Sequence, residues 1–178
     1  MKQYSRRPLG HLLALPLIAA AFSASAAVPE IMHVPAGNYV SWRAPATGVI
    51  TYECLRPEPL PGAPGAPVWR IIKAKATLSN KTAQATFSSP PETWQASDGS
   101  NLTGMEIVRA NIGENRLYDQ LVIANPSGGP GGILTGVTYI QRLVSSGGGA
   151  PTTPCDVNTV GKLAESPYTA EYVFWSPN

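Results

Sequence analysis

Apolar residues in this chain recur at every second position, and clusters of proline and glycine cut the alternation into short lengths. Successive side chains of a strand point to opposite faces, so this is the signature of half-buried β-strands, not of helices. Residues 48–54 show it best: Ile50, Tyr52 and Cys54 share one face, and Val49, Thr51 and Glu53 share the other. Further strands are predicted at 39–42, 68–78, 82–87, 93–96, 102–112, 119–124, 136–144 and 170–175. Within 68–78 the inward set is Ile72, Ala74, Ala76 and Leu78, which leaves Trp69 on the wrong side. Within 136–144, Val137, Tyr139, Gln141 and Leu143 oppose Thr138, Ile140, Arg142 and Val144. In 170–175, Tyr172 and Phe174 are expected to face inward.

The breaks are equally definite. Residues 57–67 read PEPLPGAPGAP, and prolines lack the N–H that a ladder needs. Ser97-Asp98-Gly99-Ser100 is a hairpin turn in which Gly99 takes positive φ. Residues 125–132 and 145–154 are glycine-rich and read as flexible turns. A short helical turn capped by Asn158 fits 158–165, although Gly161 interrupts it. Eight to ten short strands of this kind predict an all-β domain, a barrel or a sandwich. A closed or nearly closed barrel is favoured because closure removes adhesive edges. The immunoglobulin sandwich fails, since its bridged cysteines lie closer in sequence than Cys54 and Cys155, with a suitably placed tryptophan between them.

The first 26 residues have a different character. Lys2, Arg6 and Arg7 precede an apolar run from Leu12 to Phe22, and Ala24-Ser25-Ala26 supplies small residues for a peptidase. This is the layout of a secretory signal peptide, too short for a membrane anchor. Cleavage is expected after Ala26, leaving one β-rich domain at 27–178 in the periplasm or outside the cell, with no integral membrane segment. Ser5-Arg6-Arg7-Pro8-Leu9 is also similar to the twin-arginine signal, so either export route fits. Without Lys2, Arg6 and Arg7 the 13 basic residues fall to ten against 11 acidic ones. The exported chain is then weakly acidic, which gives no support to nucleic-acid binding. In an exported chain, the pair Cys54 and Cys155 predicts one structural disulfide. A redox pair prefers Cys-x-x-Cys spacing, and a zinc site needs more ligands.

Several segments follow an order seen elsewhere: Tyr52-Glu53-Cys54; Trp94 with Asp98-Gly99-Ser100; Val137-Thr138-Tyr139-Ile140-Gln141-Arg142-Leu143; Gly147-Gly148-Gly149-Ala150-Pro151 before Cys155; and Pro167-Tyr168-Thr169-Ala170-Glu171-Tyr172-Val173-Phe174. Together they resemble a secreted bacterial and fungal family, domain of unknown function 3455. The resemblance implies one β-rich extracytoplasmic domain with Cys54 paired to Cys155, and it implies no established activity. Some fungal members carry a malate dehydrogenase label, but this chain lacks the Gly-x-Gly-x-x-Gly turn such chemistry uses. Members often have a histidine between the regions of Trp69 and Trp94, where this chain has Gln84 and Phe87 nearby.

No catalytic constellation stands out. Glu92 and Asp98 flank Trp94 as an acid–base pair beside an aromatic platform would, yet Asp98 before Gly99 is an ideal turn acceptor. Glu53, on the face opposite Cys54, is expected to be solvated or to form a cross-strand ion pair with Arg142 or Lys73. There is no nucleophile elbow, no metal-ligand cluster, no phosphate loop and no cofactor motif. The aromatics are the stronger lead. Most will be core, but Trp94, Trp69 and Tyr139 are candidates to contact a small ligand, a glycan or an envelope partner. If one tryptophan is exposed, the choice falls on Trp94, between Pro90-Pro91 and a turn. The leading expectation is a non-enzymatic binding module; a carboxylate-based hydrolase or isomerase and a structural envelope or stress-related protein are the alternatives.

Overall fold

The computed structural model describes residues 28–58 and 65–178. The predicted signal peptide and the middle of the proline-rich 57–67 loop therefore lie outside the described residues. After a 3₁₀ turn at Glu30–Met32, eight antiparallel strands follow in chain order. They are β1 Asn38–Leu55, β2 Val68–Ser79, β3 Gln84–Ser89, β4 Thr93–Ala96, β5 Asn101–Ala110, β6 Asp119–Ala124, β7 Tyr139–Gly147 and β8 Leu163–Pro177. Each pairs with the next, and β1 pairs with β8, so the sheet closes as an up-and-down barrel. The all-β barrel expected from the alternation is the fold observed, and Cys54 and Cys155 form its disulfide.

Inward residues follow the period of two. Trp42, Ala44, Ala46, Ile50, Tyr52 and Cys54 of β1 are all buried, as are Ile140, Arg142 and Val144 of β7, and Tyr168, Ala170, Tyr172 and Phe174 of β8. Large rings from several strands interlock: Phe87 lies 5.0 Å from Trp94 and 5.6 Å from Tyr172, and Trp42 lies 4.9 Å from Phe174. Small alanines on β1 and β2 make room for these rings, as the interior of an eight-stranded barrel requires.

Some strand limits differ from expectation for physical reasons. The segments 39–42 and 48–54 form one strand that passes through Pro45. The β1–β2 ladder begins at Ala46, so Pro45 is registered only against Glu171 of β8, and its missing N–H breaks no β1–β2 bond. Trp69 is reconciled with its strand by a bulge. The pairing shifts between Thr51 and Tyr52, so Tyr52 faces Ile71 and Cys54 faces Trp69. One extra residue in β2 swings Trp69 and Ile71 onto the side that holds Ala74 and Ala76. The 158–165 segment is not helical; it makes a turn that ends at Gly161 (φ +84°), and β8 starts at Leu163. The Gly147–Gly149 run is packed tightly, not flexible. A Cβ there would strike Pro167, Leu117 or the Asn115 backbone, and the backbone is pinned by Gly148 N–H to Pro167 O (2.9 Å) and Leu117 N–H to Gly147 O (2.9 Å).

On the outward face Leu121, Gln141 and Val173 are buried as well. The N-terminal segment explains them. It crosses the outside of the barrel, Met32 is fully buried, and the Gln141 amide donates to the Met32 carbonyl at 2.6 Å. Trp175 Nε1–H in turn donates to the Gln141 side-chain amide oxygen, Oε1, at 2.8 Å.

Candidate functional site

The strands are unequal in length, and that leaves a gap in the wall. β2 begins at Val68, but β3 pairs with it only from Ala74 onward. β5 runs to Ala110, but β4 pairs with it only over Asn101–Thr103. The first half of β2 and the second half of β5 therefore face each other with no strand between them among the described residues. The floor of the gap is the β3–β4 connection, Pro90 to Glu92, where the Ser89–Pro90 and Pro90–Pro91 peptide bonds are cis. A cavity of 510 Å³ opens here, lined by Tyr52, Trp69, Ile71, Ile72 and Pro90 on its apolar sides and by Arg70, Lys73, Glu92, Glu106, Arg109, Tyr118 and Gln120.

Glu92, Glu106, Arg109, Tyr118 and Gln120 form one network. Gln120 Nε2 donates to Glu106 Oε2 at 2.8 Å and also to Glu92 Oε1. Arg109 Nε donates to Glu106 Oε1 at 2.6 Å, and its guanidinium sits 4.3 Å from the Tyr118 ring centroid. Burial pushes the Glu92 carboxyl above its ordinary range, against the opposing pull of the Gln120 bond and of Arg142. Glu92 Oε2 is buried with no partner. Tyr52 closes one side, its hydroxyl donating to Gly148 O at 2.7 Å, and burial raises its pKa.

Register places Arg142 beside this network. Arg109 pairs with Gln120, Gln120 with Arg142, and Arg142 with Tyr172, so these four residues make one inward row across β5, β6, β7 and β8. Arg142 is 3% exposed and its Nε has no partner; a terminal nitrogen donates to the Tyr118 carbonyl at 3.3 Å, the guanidinium lies 5.3 Å from the Tyr118 ring centroid, and the Tyr168 and Tyr172 hydroxyls are within its reach. Asp119, also buried, accepts the Val144 N–H at 2.7 Å, and desolvation raises its pKa.

The sequence-predicted residues fall in different places. Trp69 lines the cavity, with its indole N–H bonded to Thr153 O at 2.8 Å. Trp94 is 0% exposed, so the expectation of an exposed Trp94 is corrected: the alternation within β4 aims it at Phe87 in the core. Tyr139 is half-buried on the outward face of β7 and does not line this cavity. Cys54 is buried at the rim, and its bridge to Cys155 fastens the β7–β8 loop over this end. Asp98 is a turn acceptor, taking bonds from Ser100 Oγ (2.6 Å), Ser100 N (2.9 Å) and Ile133 N (2.8 Å), which hold its carboxyl below the usual range. Of the two readings of Glu53, the ion pair with Arg142 or Lys73 does not form among the described residues. Arg142 points into the barrel while Glu53 points out. Sequence reasoning had named Glu92 but not Glu106, Gln120, Arg109 or Arg142 as its neighbours. The available signal was the row of charged and amide residues at inward positions of β5, β6 and β7.

The model of the family described as "Protein of unknown function (DUF3455)" matches residues 35–90 and 85–176, nearly all of the barrel. The chain belongs to the DUF3455 family. No curated protein and no solved structure matches it. For this DUF3455 member, therefore, the chemistry of the cavity carries the functional argument. Among the described residues no helix is long and apolar enough to cross a membrane.

Proposed function

We propose that this DUF3455 chain is a non-enzymatic binding module that holds a small ligand or a glycan unit in the wall cavity. It would act in the periplasm or outside the cell as the exported 27–178 chain. The observation that carries the reading is the cavity itself. Apolar and aromatic walls from Tyr52, Trp69, Ile71 and Pro90 meet a few convergent polar groups, which is how small-molecule sites are generally built. The disulfide supports an oxidising compartment. Native mass spectrometry of protein taken from the exporting cell tests the reading. A retained mass that disappears in Trp69→Ala supports it; an empty wild-type protein contradicts it.

One observation favours the second reading, a carboxylate-based hydrolase or isomerase: two carboxylates, Glu92 and Glu106, share the cavity, and burial raises the Glu92 pKa. A carboxyl with a raised pKa is what a general acid needs. The Gln120 amide argues against it. One nitrogen bonds both carboxylates, so the space between them, where a reacting atom would sit, is already filled. Glu106 is further neutralised by Arg109. Turnover of a retained molecule by wild-type protein, lost in Glu92→Gln, would reverse this preference.

A further inference from the structure

We propose that the cavity is built for an organic anion, with an aromatic or apolar body against Trp69 and Ile71 and an oxyanion headgroup directed at Arg142. The inference rests on the binding-module reading and adds the ligand's chemical class. Three observations carry it. First, the charges of the lining do not cancel. Arg70, Lys73 and Arg109 stand against Glu92 and Glu106, and Arg109 and Glu106 satisfy each other at 2.6 Å. Second, Arg142 adds a further cation just behind the lining, next to Gln120 on the inner wall and outside the cavity surface itself. An arginine is always charged, and this one has no carboxylate within 4 Å among the described residues and an orphaned Nε. A buried cation with no carboxylate in contact is costly, and the Tyr118 ring 5.3 Å from its guanidinium offsets only part of that cost, so a ligand's negative charge would complete the site. Third, the walls opposite the charges are apolar: Tyr52, Trp69, Ile71, Ile72 and Pro90. Such a site suits a body that stacks and a head that carries negative charge, and a plain polyol uses neither feature fully.

Isothermal titration of the oxidised exported chain with four probes tests this: 2-naphthoate, 2-naphthyl phosphate, 2-naphthamide and 2-naphthol. At least one of the two acids is expected to bind ten-fold or more tightly than both neutral compounds, and the stronger acid identifies carboxylate or phosphate as the headgroup. Arg142→Met, similar in length and uncharged, is expected to bring that acid down to the level of the amide while leaving the amide unchanged. Far-ultraviolet circular dichroism checks its fold. Should it not fold, the wild-type ratio of acid to amide decides alone, and Lys73→Met at the rim is expected to weaken the acid two- to three-fold. Equal affinity for acid and amide, or no binding of either acid, overturns the anion assignment. A mass retained in native spectrometry together with failure of the acids would leave the binding module standing without its anion. An empty protein that also ignores all four probes would overturn both.

Discussion

Trp94 and Trp69 are both inward tryptophans, and their different depths give them different consequences. Trp94 is fully enclosed between Phe87, Gly104 and Leu102. Trp94→Ala is expected to destabilise the fold by about 3–5 kcal/mol, as for other buried aromatics cut to alanine, measurable by urea denaturation. Trp69→Ala sits at a half-open rim and should lose much less, so a loss as large as that of Trp94→Ala would contradict its placement. Glu92 gives a pH signature. Burial raises its pKa in the folded state, so the native protein keeps this proton to a higher pH than the unfolded chain does. Its contribution is therefore most favourable below the ordinary glutamate pKa and declines as pH rises through the raised value. Glu92→Gln should remove that part of the decline, while the similar contribution from Asp119 remains. Melting temperatures of both proteins across pH check this, and parallel profiles would contradict it. Trp94 was misread because a four-residue strand between Pro90-Pro91 and a turn carries too little pattern to fix which way its rings point. Arg142 was legible only as one of two faces of β7, since alternation gives the sets and packing chooses the inner one.

At the scale of elements, the N-terminal strap and the β2 bulge decide what is covered. The strap turns outward-facing Leu121, Gln141 and Val173 into buried residues, with Met32 at the contact. Met32→Ala should cost about 2–5 kcal/mol, the range for deleting a buried methionine side chain. Near-wild-type stability in thermal melting would mean that the strap does not dock. Nothing in the sequence before β1 has strand or helix periodicity, so this covering role was not readable. The bulge was half-readable: Trp69 broke the alternation of 68–78, and that conflict marked the place where one residue had been inserted. β4 and β6 were legible to the residue because turns or proline bound them on both sides. β8 was read short because Pro167 and the turn at Gly161 masked its first half, which pairs with the far end of β1.

For the whole molecule, chain-order pairing gives a closed barrel whose two ends differ. The end that holds the cavity also holds the disulfide, with a sequence separation of 101 between its cysteines. By the chain-entropy relation a loop of that length contributes up to about 4–5 kcal/mol. Reduction under native conditions should lower the urea midpoint accordingly while leaving the β-sheet circular dichroism signature intact in the folded protein. An unchanged midpoint would mean that the bridge restrains little in the unfolded chain. Barrel closure was legible from strand number and from the need to hide edges, and the gap was not, because it depends on which strands end early.

The gap between β2 and β5 is the feature on which site, ligand class and function all rest. Peptide-resolved hydrogen–deuterium exchange on the oxidised protein measures it directly. Segments covering 69–73 and 105–109, each paired on one side only, should exchange markedly faster than the doubly paired stretches 47–50 of β1 and 170–174 of β8. Protection of 69–73 and 105–109 equal to that of β1 and β8 would mean that the wall is continuous there, and the cavity with it would be lost.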